Sequence, residues 1–351
     1  AVRMGDGSLL KGTLPGTFAA CHHKSISHRR SKTRLSVGNS KVVKNLATRI
    51  AKIMGYHSAQ DVPEALLSIC NEHEDDFLVL KRSFELARGE SYSSPIIVDG
   101  QLLHFHAIDS KETLDCHHAE TGKRLWTFQY PIEYRDRYGF SNGPRSSPVV
   151  HQERVYLIGV TAQLHCLDLK TGKVLWKRDL QEEFKIPQYF FGYGPNPMVH
   201  GTNLIINIGG KENKTSGTCV AALNLDDGKT IWTHEDRWGA SYASPIIAKI
   251  HNREVALVLA AGESRPAHGG LLVLDPQSGK LLSRFPWRAD IYESVLASTP
   301  LSISHNQIFI SDCYELGGVL LNFSKDSTIQ PVWKKRFFGM HRTPPQQIGN
   351  Y

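Results

Sequence analysis

Thr171-Gly172-Lys173, within the segment DLKTGKVLW at residues 168–176, has the residue types of a phosphate-binding loop. A P-loop needs a longer Gly-x-x-x-x-Gly-Lys-Ser/Thr frame, in which backbone amides at a helix start bind the phosphate oxygens. That frame is absent here. The segment therefore indicates a turn of the chain rather than a nucleotide site.

Histidines form a second group of residues with chemical potential. His104 and His106 alternate along a predicted strand, so both face one side of the sheet, and His117 and His118 follow in the segment DCHH. Imidazole nitrogens are common zinc ligands, but this spacing does not complete a ligand set. Histidines held by packing or hydrogen bonds are the alternative, and we predict no metal site.

The cysteines are scattered, without a C-x-x-C motif or two adjacent cysteines. The six are Cys21, Cys70, Cys116, Cys166, Cys219 and Cys313. This spacing argues against zinc, c-type haem and a dense disulfide framework. No Ser/His/Asp arrangement can be assigned either, because nothing in the sequence orders the many hydroxyls and carboxylates. We therefore predict no catalytic residues.

The formal net charge of +7 is concentrated at one end of the chain. Residues 1–54 hold eleven of the 41 Lys and Arg residues and one of the 34 acidic ones. The rest of the chain carries 30 basic and 33 acidic side chains, a net of −3. The sequence thus predicts no nucleic-acid contact by the main domain, and no apolar run approaches the roughly 18 residues that a membrane span needs.

Self-comparison reveals a repeat. The segments HAETGKRLW, DLKTGKVLW and NLDDGKTIW end at Trp126, Trp176 and Trp232, which are 50 and 56 residues apart. A fourth copy, DPQSGKLLS, has Ser283 in the place of the tryptophan, and Trp333 follows 50 residues later. A fixed period of this length predicts stacked supersecondary units.

A proline before an apolar run recurs in phase with the tryptophans, at Pro95, Pro148, Pro197, Pro245 and Pro300. Proline suits the first residue of a strand, where its missing N–H costs no ladder bond. Each unit contains four short β patterns, and Asp99-Gly100 and His200-Gly201 are predicted hairpin turns. Such units predict an all-β fold, a β-propeller of four-stranded blades.

The repeat resembles the tryptophan-docking motif Ala-x-Asp-x-x-Thr-Gly-x-x-x-Trp of the PQQ-like (quinoprotein alcohol dehydrogenase-like) propellers. The matching glycines and tryptophans are Gly122, Trp126, Gly172, Trp176, Gly228 and Trp232. We expect each indole to dock on small residues of its own unit, Cys166 and a glycine in the case of Trp176. Longer segments, YRDRYGFSNGPRSSPVV among them, resemble the non-catalytic, BamB-like bacterial PQQ-repeat proteins.

The sequence predicts two regions. The resemblance implies that residues 79–351 form PQQ-like repeats. Residues 1–78 do not match a blade, and their charge and the helical spacing of their apolar residues predict a basic extension that is partly helical or disordered. The predicted blades cover approximately residues 94–130, 147–180, 196–235, 244–285 and 299–337. Because closed rings of this family usually have seven or eight blades, we expect an incomplete, truncated propeller of about five.

Function on a propeller resides in its loops, and the crossings from the outermost strand of one blade to the innermost strand of the next build one rim. These crossings are rich in aromatic residues and arginine, which binding surfaces favour. The candidate ligand- or partner-binding residues are Tyr138, Phe140, Arg145, Tyr193, Tyr242, Arg288 and Tyr292. The alternative is that these side chains only pack the loops onto the blades.

The leading hypothesis is a non-enzymatic binding or scaffold module for a protein, peptide or carbohydrate partner, without a cofactor. The resemblance implies an alternative, a PQQ-dependent alcohol or sugar oxidoreductase whose quinone lies beneath a disulfide of adjacent cysteines, with calcium. The sequence has no such cysteine pair. A third possibility is a gene fragment without independent function. The resemblance also implies a periplasmic or secreted location, although this chain shows no convincing signal peptide.

Overall fold

The computed structural model describes residues 86, 89–210, 217–262 and 267–347. These residues form five antiparallel sheets, each containing four strands that are hydrogen-bonded in chain order. The all-β prediction is thereby confirmed. The predicted extension, residues 1–78, lies outside the described residues. Within the part of the chain that is described, no helix has the length and apolar character needed to cross a bilayer.

We number the sheets as blades 1 to 5 in chain order. Blade 1 contains β1 (Ile96–Val98), β2 (Gln101–Ile108), β3 (Lys111–His118) and β4 (Arg124–Pro131). Blade 2 contains β5 (Val149–His151), β6 (Arg154–Ile158), β7 (Gln163–Asp168) and β8 (Val174–Asp179). Blade 3 contains β9 (Met198–His200), β10 (Asn203–Asn207), β11 (Gly217–Asn224) and β12 (Thr230–Asp236).

Blade 4 has an additional two-residue strand, β13 (Gly239–Ala240), which pairs with β15 beside the regular set. Its other strands are β14 (Ile246–Ile250), β15 (Arg253–Ala261), β16 (Gly270–Leu274) and β17 (Leu281–Pro286). Blade 5 contains β18 (Leu301–Ser304), β19 (Gln307–Asp312), β20 (Gly317–Phe323) and β21 (Ile329–Lys335). A short helix, α1 (Leu180–Phe184), follows blade 2, and no helix had been predicted there.

The five repeated prolines directly precede β1, β5, β9, β14 and β18, where no ladder hydrogen bond is required of them. Asp99 and Gly100 form the predicted turn between β1 and β2, both with positive φ. The second predicted turn is displaced by one residue. His200 pairs with Asn203, so the two turn residues are Gly201 and Thr202. The positive φ of Gly201, 58°, requires this placement of the glycine.

Neighbouring blades pack face to face through apolar side chains that alternate along their strands. Leu103 and Phe105 of blade 1 meet Val155 and Leu157 of blade 2 in one such layer. Similar layers join blades 2 and 3, blades 3 and 4, and blades 4 and 5. Each fully buried aliphatic side chain contributes about 1.5–3 kcal/mol, so these four layers hold the sheets together.

The repeated tryptophans tie each blade to the one that follows. The indole of Trp126 lies over Gly172, where an added Cβ would be 2.4 Å from Cε3 of the ring, and its Nε1 donates to the carbonyl of Leu169 at 3.1 Å. Trp176 repeats this contact on Gly228 with the carbonyl of Leu225, and Trp232 does so on Gly279 with the carbonyl of Pro276.

The expectation that each tryptophan docks within its own unit is therefore wrong for the glycine. The small residue that faces each indole does belong to the same blade, since Cys166 pairs with Trp176 across β7 and β8. The glycine belongs to the next blade, because the outer strand lies against the neighbouring turn and not against its own. Trp126 and Gly122 thus belong to the same repeat unit, but the Trp126 ring packs on Gly172 of the next blade and not on Gly122.

Candidate functional site

Four crossings between blades meet in one group of rings, which we call the aromatic cluster. Its members are Tyr138 and Phe140 from the first crossing (132–148), Phe190 and Phe191 from the second (180–197), Tyr242 from the third (237–245) and Tyr292 from the fourth (287–300). Phe190 meets Tyr292 edge to face with 5.0 Å between ring centroids. Crossings two blades apart therefore support each other.

The first crossing presents the most exposed rings of the cluster. Tyr138 is 53% exposed and Phe140 is 59% exposed. Oδ1 of the buried Asp136 accepts hydrogen bonds from the backbone N–H of Tyr138 at 2.9 Å and of Phe140 at 3.1 Å. Gly139, between them, has a φ of +72°, which glycine adopts without strain. The two rings thus stand on a backbone that is held in place.

Arg145 stabilises the first crossing through hydrogen bonds within the loop. Its Nη2 donates to Oδ2 of Asp136 at 2.8 Å and to the carbonyl of Ser141 at 2.7 Å, and its Nη1 donates to the carbonyl of Gly143. Both side chains of the ion pair are nearly buried. A buried Arg–carboxylate pair with additional hydrogen bonds fixes geometry. The guanidinium of Arg145 therefore binds acceptors within its own loop.

The second crossing supplies the base of the cluster. Phe190 is only 5% exposed, and the backbone N–H of Phe191 donates to the hydroxyl of Tyr242 at 2.8 Å. Tyr242 also lies close to Gly194, where an added Cβ would be 2.6 Å from its ring. Tyr193 is buried, and burial raises the pKa of its hydroxyl far above the ordinary value. These contacts fix the position of the exposed rings.

The fourth crossing is tied to blade 5 through Asp312. Oδ2 of this buried carboxylate accepts from the hydroxyl of Ser294 at 2.6 Å and from the N–H of Ala289 at 2.9 Å, and burial raises the pKa of Asp312. Arg288 donates to the carbonyls of His268 at 2.9 Å and Tyr292 at 3.3 Å. The guanidinium thus contacts main-chain oxygens of the rim.

The seven predicted binding residues occupy different positions in this arrangement. Tyr138, Phe140, Tyr242 and Tyr292 lie together in the aromatic cluster, whereas Arg145, Tyr193 and Arg288 lie in the surrounding loop structure. Phe190 and Phe191 complete the cluster and were not predicted. Their signal was the adjacent Phe-Phe pair in the segment PQYFFGYGPN, because two neighbouring rings in a loop must pack against something.

The histidines of blade 1 form a hydrogen-bonded network. Nε2 of His106 lies 3.0 Å from Oδ2 of Asp115, whose Oδ1 accepts from the hydroxyl of Thr127 at 2.5 Å. His104 stacks on His106, and burial together with His106 lowers the pKa of His104 to about 4. Within residues 89–210, 217–262 and 267–347, no three His, Cys, Asp or Glu side chains are arranged to hold a metal ion.

A buried carboxylate lies between blades 1 and 2. Oε2 of Glu112 accepts from the hydroxyl of Tyr130 at 2.5 Å, and Oε1 accepts from the N–H of Val160 at 2.8 Å. Burial raises the pKa of Glu112 to about 7. Such a pKa suits an acid or base catalyst, but both oxygens of this fully buried group are bound by protein donors. Its position is that of a structural group.

The quinone site that the resemblance implies does not fit the donors described here. Cys116, Cys166 and Cys219 are free and buried, and Cys313 is free and partly buried. Burial raises the pKa of Cys116 and Cys166 to about 11, which makes both poorly reactive. No two of the cysteines in this sequence are adjacent, so these residues do not supply the cysteine pair that the resemblance implies for covering a quinone.

Comparison with curated proteins finds two dehydrogenases. The chain is 26% identical over 215 residues to 1-butanol dehydrogenase (cytochrome c) of Thauera butanivorans, which covers 59% of this chain and 30% of the relative. It is 21% identical over 203 residues to the quinoprotein alcohol dehydrogenase PedH of Pseudomonas putida, covering 56% and 31%. The chain thus spans about a third of the length of these relatives.

Among solved structures, a europium-containing methanol dehydrogenase matches with a TM-score of 0.50 and 13% identity, covering 72% of this chain and 53% of that one. At this identity the likeness concerns the fold alone, and it is consistent with the four-stranded sheets of this chain being propeller blades. The family model described as outer membrane protein assembly factor BamB matches residues 89–349. The chain therefore belongs to this PQQ-like propeller family.

Proposed function

We propose that the blades of this chain act as a non-enzymatic binding or scaffold module, whose protein, peptide or carbohydrate partner contacts the exposed rings of Tyr138 and Phe140. One observation carries the proposal: two rings that are more than half exposed stand on a hydrogen-bonded loop and pack against the less exposed rings of Phe190 and Phe191 from the second crossing. Large exposed apolar side chains at one place commonly mark an interaction site.

Rigidity is the second support for this proposal. Binding costs about 0.5–1.5 kcal/mol for each side chain that must be immobilised. Tyr138 lies 5.6 Å from Phe191 and Phe140 lies 6.0 Å from it, centroid to centroid, so both rings already have a packing partner. Asp136 and Arg145 hold the backbone between them. A partner therefore meets rings that have little freedom left to lose.

The test is a binding screen of the purified chain against peptide and glycan arrays, repeated with Tyr138→Ala/Phe140→Ala. We expect specific binding that the double variant weakens at least about tenfold, as truncation of interface anchors does. Phe337→Ala is the matched control, because Phe337 is 76% exposed on a different part of the chain. Binding that is lost in Phe337→Ala and kept in the double variant would refute this placement of the site.

A PQQ-dependent oxidoreductase is the second candidate function, and the names of the two curated relatives favour it. Its test is equilibrium dialysis of the chain with PQQ and Ca²⁺, followed by an assay of dye reduction with alcohols and sugars. One quinone retained per chain together with turnover would replace the binding-module proposal. If the chain retains no more quinone than a denatured control does, the result supports the binding-module proposal.

We further propose a periplasmic or secreted location, which rests on the family. Fractionation of a native host with an antibody against the chain tests it. Recovery of the protein in the cytosolic fraction would contradict it.

A further inference from the structure

The segment at the end of the outer strand of blade 5 combines exposed phenylalanines with cations. Its sequence, WKKRFFGMHR at residues 333–342, contains four Lys and Arg residues and no Asp or Glu. We call it the basic aromatic segment. Phe337 is 76% exposed, more than any other large apolar side chain in the described part of the chain, and Phe338 is 38% exposed. Apolar side chains exposed together commonly mark a contact surface.

Hydrogen bonds and ring contacts hold the backbone of this segment on blade 5. The hydroxyl of Ser311 donates to the carbonyl of Phe338 at 2.6 Å and accepts from the N–H of Met340 at 2.8 Å. The ring of Phe338 lies 6.2 Å from that of Phe309 and 4.2 Å from that of Phe337, centroid to centroid. Because Phe338 rests on the blade, it supports Phe337 in its exposed position.

Both ends of the basic aromatic segment lie at the turn between β19 and β20. The guanidinium of Arg336 pairs with the carboxylate of Glu315. Nε2 of His341 lies 3.1 Å from the hydroxyl oxygen of Tyr314, the preceding residue of the same turn. Arg342 follows His341 directly. The segment thus folds back on itself, which brings Arg342 toward the other three cations.

The cations of this segment have few carboxylate partners. Arg336 pairs with Glu315, but both side chains are exposed, and an exposed ion pair contributes little to stability. Within the described residues, neither Lys335 nor Arg342 has an acidic partner. Positive charge therefore stays available at this surface.

Blade 2 shows how the chain neutralises such a cation internally. Arg178 lies near the end of the outer strand β8, and three acidic residues follow it within residues 179–183. One of them, Glu183, pairs with Arg178. No acidic residue occurs within residues 327–347, which include the basic aromatic segment. The charge at the end of blade 5 is therefore suited to an anion outside this part of the chain.

We propose that the basic aromatic segment binds the surface of a bilayer that contains anionic phospholipids, with Phe337 inserted at the level of the headgroups. Interfacial binding depends on buried apolar area together with attraction to anionic lipids, and the segment offers both within residues 333–342. A polyanion such as a nucleic acid would use the cations and leave the exposed phenylalanine without a role.

Another sheet is a poorer occupant of this surface than a lipid headgroup layer. The layers between the blades of this chain are built from apolar side chains, so a further blade would leave the cations buried without partners. The proposal goes beyond the binding-module function, because the basic aromatic segment and the aromatic cluster share no residue.

The experiment is co-sedimentation of the purified chain with vesicles of phosphatidylglycerol and phosphatidylcholine in equal parts. Phe337→Ala should bind at least about tenfold more weakly than the unmodified chain, because it loses the inserted apolar area. Lys334→Gln/Lys335→Gln should weaken binding about fivefold for each cation removed. Lys123→Gln/Lys280→Gln, which removes two exposed lysines from turns of other blades, is the matched control and should bind as the unmodified chain does.

Phe337→Trp reports insertion directly, because an indole favours the headgroup region of a bilayer. This variant should bind at least as tightly as the unmodified chain. Its fluorescence emission should shift to the blue when vesicles are added, with the unmodified chain as the reference for the other tryptophans. Binding without a blue shift would contradict insertion at this position.

Equal vesicle binding by Phe337→Ala and the unmodified chain would overturn the proposal. So would equal binding to vesicles of phosphatidylcholine alone, because the cations would then have no role. Duplex DNA that binds as tightly as the vesicles, in a manner insensitive to Phe337→Ala, would assign the segment to a polyanion instead. Because Tyr138 and Phe140 are untouched in these variants, the result is independent of the partner-binding test.

Discussion

The interface between blades 4 and 5 differs from the three before it. At each of those, a tryptophan lies on a glycine of the next blade and donates to a carbonyl there. Blade 4 has Ser283 in the tryptophan position, and Nε2 of His251 donates instead to the carbonyl of Phe323 at 2.7 Å. Phe323 is the blade 5 equivalent of Leu169 in blade 2. Each lies three residues after the strand partner of its own blade's tryptophan, which is Leu320 in blade 5 and Cys166 in blade 2.

The interface between blades 4 and 5 does contain a tryptophan, but it lies at the opposite end of the sheet. Trp287, in the fourth crossing, is buried and donates to the carbonyl of Gly317 at 3.2 Å. The difference indicates that each interface needs a donor for the carbonyl at this position, because a buried carbonyl must be hydrogen-bonded. Tryptophan supplies the donor at three interfaces, and histidine supplies it at the fourth.

The largest effect is expected from Trp232→Ala. The ring is 8% exposed, packs on Gly279 and bonds to Pro276, so its removal leaves a cavity and an unpaired carbonyl. We expect the free energy of unfolding to fall by about 3–5 kcal/mol in urea titrations. Ser283→Ala, at the same position of blade 4, should change it by less than about 1 kcal/mol. Equal losses in the two variants would show that the interfaces are alike.

The blade 1 to blade 2 interface should also depend on pH through Glu112, whose pKa of about 7 in the folded chain exceeds its ordinary 4.5. A raised pKa stabilises the fold fully below pH 4.5, and this contribution disappears as the pH rises to about 7. The expected loss is about 3 kcal/mol. Measured from pH 4.5 to 8, Glu112→Gln should lose this decline, whereas Glu153→Gln, at an exposed carboxylate, should keep it.

A smaller effect is expected from the glycines. Gly172 and Gly100 have φ of +69° and +73°, so alanine is strained at both. An added Cβ at Gly172 meets the Trp126 ring at 2.4 Å, but one at Gly100 meets nothing within 4 Å. Gly172→Ala should therefore destabilise the chain by about 2 kcal/mol more than Gly100→Ala. Thermal denaturation of both variants measures the difference, and equal melting temperatures would contradict a docked indole.

The smallest effect is expected from His251→Ala, which removes one hydrogen bond from a partly buried carbonyl. A loss of about 1 kcal/mol in urea titrations is expected. His118→Ala, at an exposed histidine, serves as the control. A loss no larger than that of the control would mean that water replaces the histidine, and that this interface needs no substitute for the tryptophan.

The sequence predicted the all-β propeller fold class and only part of the aromatic cluster. Strand positions follow from the alternation of apolar residues and from prolines, which are local properties of the chain. Tyr138 and Phe140 were found because their loop is visibly aromatic. Phe190 was missed, since nothing local indicates that it meets Tyr292, about a hundred residues away in the sequence.

By itself, then, the sequence determined the period, the four-stranded units and the positions of the docking glycines, because backbone sterics act over a few residues. Only the tertiary structure decided which blade each indole contacts, that His251 stands in for the tryptophan missing at Ser283, and that Arg145 pairs with Asp136 inside its loop. These outcomes depend on which surfaces meet when sheets stack, and that is set by packing between residues distant in the chain.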